Sequence, residues 1–253
     1  MLVLMRFIPK IISTAIAGAI TAFLSAPAMA EDILEYPRQP VVVEMFVSQA
    51  CGKCTPAAAY MTELADRDDV VALAWHVDYW DNSSARGKGR WKDIFAKRTF
   101  TERQRLYNKN LRGRGGVFTP QAVVNGNTSL VGSKRKKLDA HIAERQIAGP
   151  APNIRFSADK NGLKIAIDNL VTEQNIYIVS FYRFDETAIP SGHNAGVTFT
   201  NANIVQDFMM VPSAAIAANP LTIAQPEPNK GCAVFVQEPN QRAITAAAYC
   251  PGI

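Results

Sequence analysis

Residues 41–54 read V-V-V-E-M-F-V-S-Q-A-C-G-K-C, and this stretch decides the fold. Its first half is a short apolar run rich in β-branched residues, the pattern of a buried strand. It ends in Cys51-Gly52-Lys53-Cys54. From Cys54 to Arg67 the apolar positions Ala57, Ala58, Met61, Leu64 and Ala65 then fall at helical spacing. Pro56 lies in the first turn, where a missing N–H costs nothing. Two cysteines two residues apart, where a strand gives way to a helix, form the core of a dithiol–disulfide redox site. The first thiol is expected at a helix N-terminus, where unpaired N–H groups and the helix dipole favour the thiolate. Cys54, about one turn on, is placed to resolve a mixed disulfide. The same spacing also serves a structural disulfide or half of a metal site.

Outward from this stretch, Val70 to Trp80 reads as a second buried strand, so the order is strand, helix, strand. Short connections between them imply a right-handed parallel crossover. Asp81 to Gly89 is a polar loop. Trp91 to Leu111 predicts helix with a break near Thr99, where Thr99 and Glu102 have capping-box spacing. Gln121 to Asn125 resumes a strand, Asn125-Gly126 signals a hairpin before Thr128 to Val131, and Ser133 to Ile147 closes as a helix. Gly149-Pro150-Ala151-Pro152 marks a boundary. Beyond it, alternating pairs such as Leu163/Ile165 and several short strand-like runs predict a small antiparallel β-sandwich-like domain. The expected organisation is a leader over 1–30, an α/β domain over 31–149 with a basic helical insert at about 81–116, and an antiparallel domain over 150–253.

The 253 residues carry a formal charge of +5. Arg6 and Lys10 precede an uncharged apolar run from Ile11 to Leu24, and Ala28-Met29-Ala30 follows as an A-x-A site. That is the pattern of a secretory signal peptide cleaved after Ala30. It predicts a periplasmic or secreted protein in a disulfide-permissive compartment, with no integral membrane anchor after cleavage. Between Arg86 and Arg114 there are eleven Lys or Arg against Asp93 and Glu102, a local balance of +9, and Lys134 to Lys137 adds a second run. In an exported protein such patches suit an anionic envelope surface or acidic partners rather than nucleic acid. A solvated face is the equal alternative. Of the four cysteines, Cys232 and Cys250 flank a hairpin that turns around Asn240 to Arg242, which predicts a structural disulfide between them.

The order strand, C-x-x-C, helix, strand, insertion, Thr-Pro, hairpin, helix resembles a thioredoxin fold with a helical insertion. A closer resemblance is to the secreted bacterial family catalogued as domain of unknown function 1223. It is carried by residues 44–51, by His76 to Trp80, by Arg103-Gln104 and by Thr119 to Gly126. It extends to Ser191 through Gly196, where the family more usually has Glu at the position of His193. The resemblance implies Cys51 as the exposed attacking thiol and Cys54 as the buried resolving one. It implies a cis-proline at Pro120, presenting an extended substrate together with Thr119. Glu44 is then a possible buried acid below the disulfide, although it lies one residue further from Cys51 than in thioredoxins, and a one-residue shift reverses a strand face.

Lys53 adds positive charge beside the pair. Asp78, Trp80 and Gln121 are expected at the site rim, near strand ends that face a ligand crevice. His76, on an apolar strand, reads as a satisfied core histidine. The expected activity is thiol–disulfide exchange with protein cysteines and a redox partner protein, needing no cofactor and no metal. The alternatives are copper(I) or zinc delivery by Cys51 and Cys54, or a non-catalytic interaction protein of the cell envelope.

Overall fold

The computed structural model describes residues 39–85, 87–145, 151–171 and 173–252. The expected leader at 1–30 and the boundary at 149–150 lie outside these described residues. At the centre is β1 (Val41–Val47), buried along its whole length. It pairs in parallel with β2 (Val70–His76) and antiparallel with β5 (Gln121–Val124), which in turn pairs with β6 (Thr128–Val131). A strand covered on both faces has no reason to alternate, and β1 is accordingly apolar at every position but one.

Alternate residues of β1 enter different layers. Val41, Val43, Met45 and Val47 pack with α1 (Thr55–Ala65) and with Leu138 and Ile142 of α3 (Arg135–Glu144). Val42 and Phe46 pack on the other side with Phe100 and Tyr107 of α2 (Arg98–Arg112). Helix α2 begins at Arg98 and is closed by Gly113 in the left-handed region (φ 67°), whose N–H donates to the Lys109 carbonyl. The helix expected from Trp91 and the Thr99/Glu102 capping box are therefore corrected. Lys97 is extended, bridges Val77 in parallel and donates its N–H to the His76 carbonyl, so the helix starts only after it, and residues 91–96 form a turn-containing segment instead of coiling. Glu102 serves as an i,i+4 partner of Arg98. The short strands β3 (Ser84–Ala85) and β4 (Gly89–Arg90) form a small hairpin ahead of this segment.

The expected separate antiparallel domain over 150–253 is also corrected. β9 (Asn175–Ala188), β10 (Thr198–Pro212), β12 (Lys230–Gln237) and β13 (Ile244–Tyr249) extend the central sheet, which has eight strands in the order β13-β12-β9-β10-β2-β1-β5-β6. The seam is β10 beside β2, in parallel at Ile204 and Ala74. The physical reason is cover. Ala202, Ile204 and Val205 are buried like residues of an interior strand, and the backbone edge of β2 needs a partner. β7 (Asn153–Asp159), β8 (Gly162–Asp168) and β11 (Leu221–Ile223) make a three-stranded sheet, and α4 (Ser213–Ala218) is a short helix between β10 and β11. Leu163 and Ile165 of this smaller sheet pack on Ile176, Ile178 and Val234 of the large one. Fully buried Ile165, Ile176 and Val234 each contribute about 1.5–3 kcal/mol by leaving water. The sandwich reading thus holds only for this local layer. The fold is a mixed α/β architecture with one large sheet and few helices. Among the described residues no helix is long and apolar enough to cross a membrane.

Candidate functional site

At the end of β1 the chain turns through Ser48, Gln49 and Ala50. The Ala50 N–H donates to Ser48 Oγ and the Cys51 N–H to the Ser48 carbonyl, both at 3.1 Å. Cys51 and Cys54 are joined as a disulfide, with Cα atoms 5.4 Å apart. The Cys54 N–H donates to the Cys51 carbonyl at 3.0 Å. Cys54 is the N-cap residue of α1, so it is Cys54 that heads the helix, while Cys51 opens the turn before it. Cys51 is only 1% exposed, and the two residues that face solvent are Gly52 and Lys53. The expected exposed thiol is corrected here, because the loop between β9 and β10 lies over it.

That loop is fastened on two sides. The buried Asn194 side-chain amide donates to the Gln49 carbonyl at 2.7 Å and to the Cys51 carbonyl at 3.1 Å. The Gly192 N–H donates to the Lys88 carbonyl at 2.7 Å, and Ser191 Oγ donates to the Arg90 carbonyl. A Cβ on Gly192 would stand 3.1 Å from Trp91, and its φ of 82° is a conformation that suits glycine.

Gln49 joins three parts of the molecule. Its Nε2 donates to Thr187 Oγ1, its Oε1 accepts from Trp91 Nε1, and its own N–H donates to Asp93 Oδ2 at 2.7 Å. Asp93 Oδ2 also accepts from His76 Nδ1 at 2.7 Å. With that ring nitrogen donating, His76 Nε2 accepts from Asn201 Nδ2 at 3.1 Å, so His76 is a satisfied core residue. Burial opposes the Asp93 charge, but His76 and the N–H groups of Gln49 and Phe95 outweigh it and hold the carboxyl below its ordinary pKa.

Beside the disulfide opens a cavity of about 590 Å³, with Tyr79, Trp80, Val117 and Phe118 as an apolar wall. Cys51, Gly52, Lys53, Thr119 and His193 complete it. The Thr119–Pro120 peptide is cis. The segment is held from two sides, since Trp80 Nε1 donates to Thr119 Oγ1 at 2.7 Å and Gln104 Nε2 donates to the Phe118 carbonyl at 2.7 Å. Burial pushes the Tyr79 phenol up to about 12, so it stays neutral near pH 7.

Of the residues singled out from the sequence, the structure brings Cys51, Cys54, Lys53, Trp80, Thr119 and Pro120 together. Three others lie elsewhere. Glu44 points to the α2 face of β1, away from α1 and the disulfide, which corrects its assignment as an acid beneath the pair. There its carboxylate takes Arg103 Nε at 2.6 Å and Nη2 at 3.0 Å, and it accepts a hydrogen bond from Tyr107. The Arg103 guanidinium lies 4.6 Å from the Tyr177 ring centroid and 5.1 Å from that of Trp75, so the pair is a buried core device. Asp78 accepts from Thr101 Oγ1 at 2.6 Å and belongs to the start of α2. Gln121 is fully buried, bonded to Gln104, Asn108 and Ser129, and does not line the cavity. The far pair, Cys232 and Cys250, forms a second disulfide with Cα atoms 5.2 Å apart, set between paired strands β12 and β13.

Gln49, Asp93, Asn194, Tyr79 and Phe118 are site or support residues that sequence reasoning missed. In the sequence, His193 and Asn194 stand only as part of the 191–196 stretch that carries the resemblance, with no role assigned.

The chain is similar in fold to a crystal structure of a protein from Agrobacterium tumefaciens, with 26% identity, a TM-score of 0.63, and coverage of 86% of this chain and 96% of that one. It is also similar in fold to HBP35 of Porphyromonas gingivalis, at 14% identity and a TM-score of 0.53, covering 85% of this chain and 76% of that one. No curated protein sequence matches. Residues 42–237 match the family described as protein of unknown function (DUF1223), and with most of its length inside that match the chain belongs to this family.

Proposed function

We propose that this protein is an exported thiol–disulfide oxidoreductase whose N-terminal half is a thioredoxin-like unit with a helical insertion. One observation carries the reading. Cys51 of the Cys51–Cys54 disulfide, at the head of α1, lines a largely apolar cavity together with Thr119, next to the cis Pro120. A substrate thiolate entering that cavity attacks Cys51 Sγ. The Cys51–Cys54 bond breaks, a substrate–Cys51 disulfide forms, and Cys54 leaves as a thiolate that takes up a proton. A second substrate thiolate then attacks the substrate sulfur of the mixed disulfide and releases Cys51 as a thiolate. The substrate dithiol has lost two electrons and the Cys51/Cys54 pair has gained them. A partner protein carrying a disulfide restores the pair by the reverse sequence. The A-x-A leader supports export, and exposed Lys88, Lys92, Lys97, Arg105 and Lys109 offer a cationic face to that partner or to an anionic envelope surface.

The test is equilibration of the protein, without residues 1–30, against glutathione redox buffers, with Cys51→Ser as control. A potential between about −270 and −120 mV that disappears in the variant supports exchange. A pair that binds copper(I) or zinc stoichiometrically without exchanging would establish delivery instead. A pair inert to mild reductant in the folded protein would leave an interaction role.

A further inference from the structure

His193 belongs to the loop between β9 and β10, more than a hundred residues after the cysteines, yet the fold lays it on the redox turn. A Cβ built on Gly52 would sit 3.4 Å from His193 Cβ, and the imidazole lines the same cavity as Cys51. The position is a built one. The neighbouring Asn194 commits both of its amide hydrogens to the Gln49 and Cys51 carbonyls, and Trp80 meets the His193 ring edge-on at 5.9 Å. The charged and titratable groups facing Cys51 across the cavity are Lys53, His193 and the neutral Tyr79 phenol. Behind the turn, Asp93 is already engaged by Gln49 and His76, and Lys88 and Arg90 lie under the loop's other attachment. No carboxylate lines the cavity among the described residues.

We infer that His193 is the thiolate-stabilising residue of the reduced site, which rests on the exchange reading above. On reduction the proton of the Cys51 thiol passes to the imidazole, giving a thiolate–imidazolium pair with no change in net charge. The pair keeps Cys51 nucleophilic in mildly acidic surroundings where an isolated thiol is protonated. The side chain is exposed, and its replacement removes the stabilisation without removing any packing of the core.

The experiment is the pH–rate profile for iodoacetamide alkylation of Cys51 in the reduced protein, for wild type, His193→Ala, His193→Lys and Lys53→Ala. The expected result is a His193→Ala rate about tenfold below wild type at pH 6, converging with it near pH 9. His193→Lys should restore the rate at pH 6. Superimposable profiles for His193→Ala and wild type would overturn the inference, as would a loss at pH 6 confined to Lys53→Ala. In either case a measured potential against glutathione would leave the exchange reading standing. A reduced Cys51 that resists alkylation at every pH, with no equilibrium against glutathione, would overturn both.

Discussion

The two disulfides make an instructive pair. Each joins cysteines with nearly the same Cα separation, 5.4 and 5.2 Å, and each is shielded from solvent. Their surroundings differ in backbone setting and in the make-up of the cavity each borders. Cys232 and Cys250 sit between paired strands, and the Cys250 N–H donates to the Cys232 carbonyl at 2.8 Å among Ile176, Ile178 and Val234. Cys51 and Cys54 sit in a turn whose carbonyls are held by Asn194, next to a cavity with Lys53 at its mouth. Cys232 also borders a cavity, of about 370 Å³, with Glu227 and Lys230 in its lining, but Cys250 does not line it. The cavity beside Cys51 is larger, about 590 Å³, and brings Lys53 and His193 alongside it without a carboxylate among the described residues. On the proposed exchange reading, what separates a staple from a reagent is the neighbourhood of the bond.

The sharpest way to break this comparison is to remove each pair in turn. Cys51→Ser is expected to abolish exchange with glutathione, whereas the double variant Cys232→Ala, Cys250→Ala should retain it; loss of exchange in both would make the two bonds equivalent. Next in size is the buried ion pair beneath β1. Glu44→Ala strands the Arg103 guanidinium and is expected to cost about 3–5 kcal/mol in urea unfolding. The potential of the surviving folded protein should be unchanged, since Glu44 faces away from the disulfide. A shifted potential would return Glu44 to the redox site.

The stability of the two bonds sharpens the contrast further. Closing a loop with a sequence separation of 18 is worth roughly 3 kcal/mol, and one with a separation of 3 about half that. Thermal or urea unfolding of the two cysteine-free variants should therefore rank the distal pair as the larger structural contributor.

The smallest effect is a pH dependence of the redox turn's support. The folded pKa of Asp93 lies below its unfolded value near 3.9. Its contribution is then complete above about pH 4 and is lost as pH falls through the lower folded value, with a slope of at most about 1.4 kcal/mol per pH unit. Urea midpoints between pH 3 and 6 should show this fall in wild type, and a flatter curve in Asp93→Asn. Identical curves would remove Asp93 from the support of the turn.

Most elements from β1 to α3 were legible from local composition and spacing, the start of α2 and the β3–β4 hairpin excepted. The 41–47 run has the composition of a buried strand, and Ala57, Met61 and Leu64 repeat at helical spacing. The seam between β2 and β10 had no such signal. A period of two says that Ala202 and Ile204 lie on a strand, but not which sheet edge receives it, so one sheet read as two domains. Glu44 failed on parity. Its face depends on how many residues the turn from Ser48 to Ala50 takes up, and pairing with Arg103 was visible only once α2 was seen to cross that side of β1. The basic insert misled in part for the same reason, since Arg103 among its eleven cations points inward. Asn194 and His193 lay in a short polar segment whose importance comes from position alone.

The distance along the chain between Cys51 and its cover has a consequence for biosynthesis. Asn194 follows Cys51 by 143 residues. At about 5–20 residues per second, roughly 7–30 seconds of synthesis separate the two. A nascent chain therefore presents a complete C-G-K-C turn well before its lid exists, and before Cys232 and Cys250 have been made. On the proposed exchange reading, the reactive pair appears first and unattended, so the maturing protein is most open to wrong partners at the beginning of its life. The safeguard arrives with the last third of the chain, when β10 docks on β2 and carries the 190–197 loop into place.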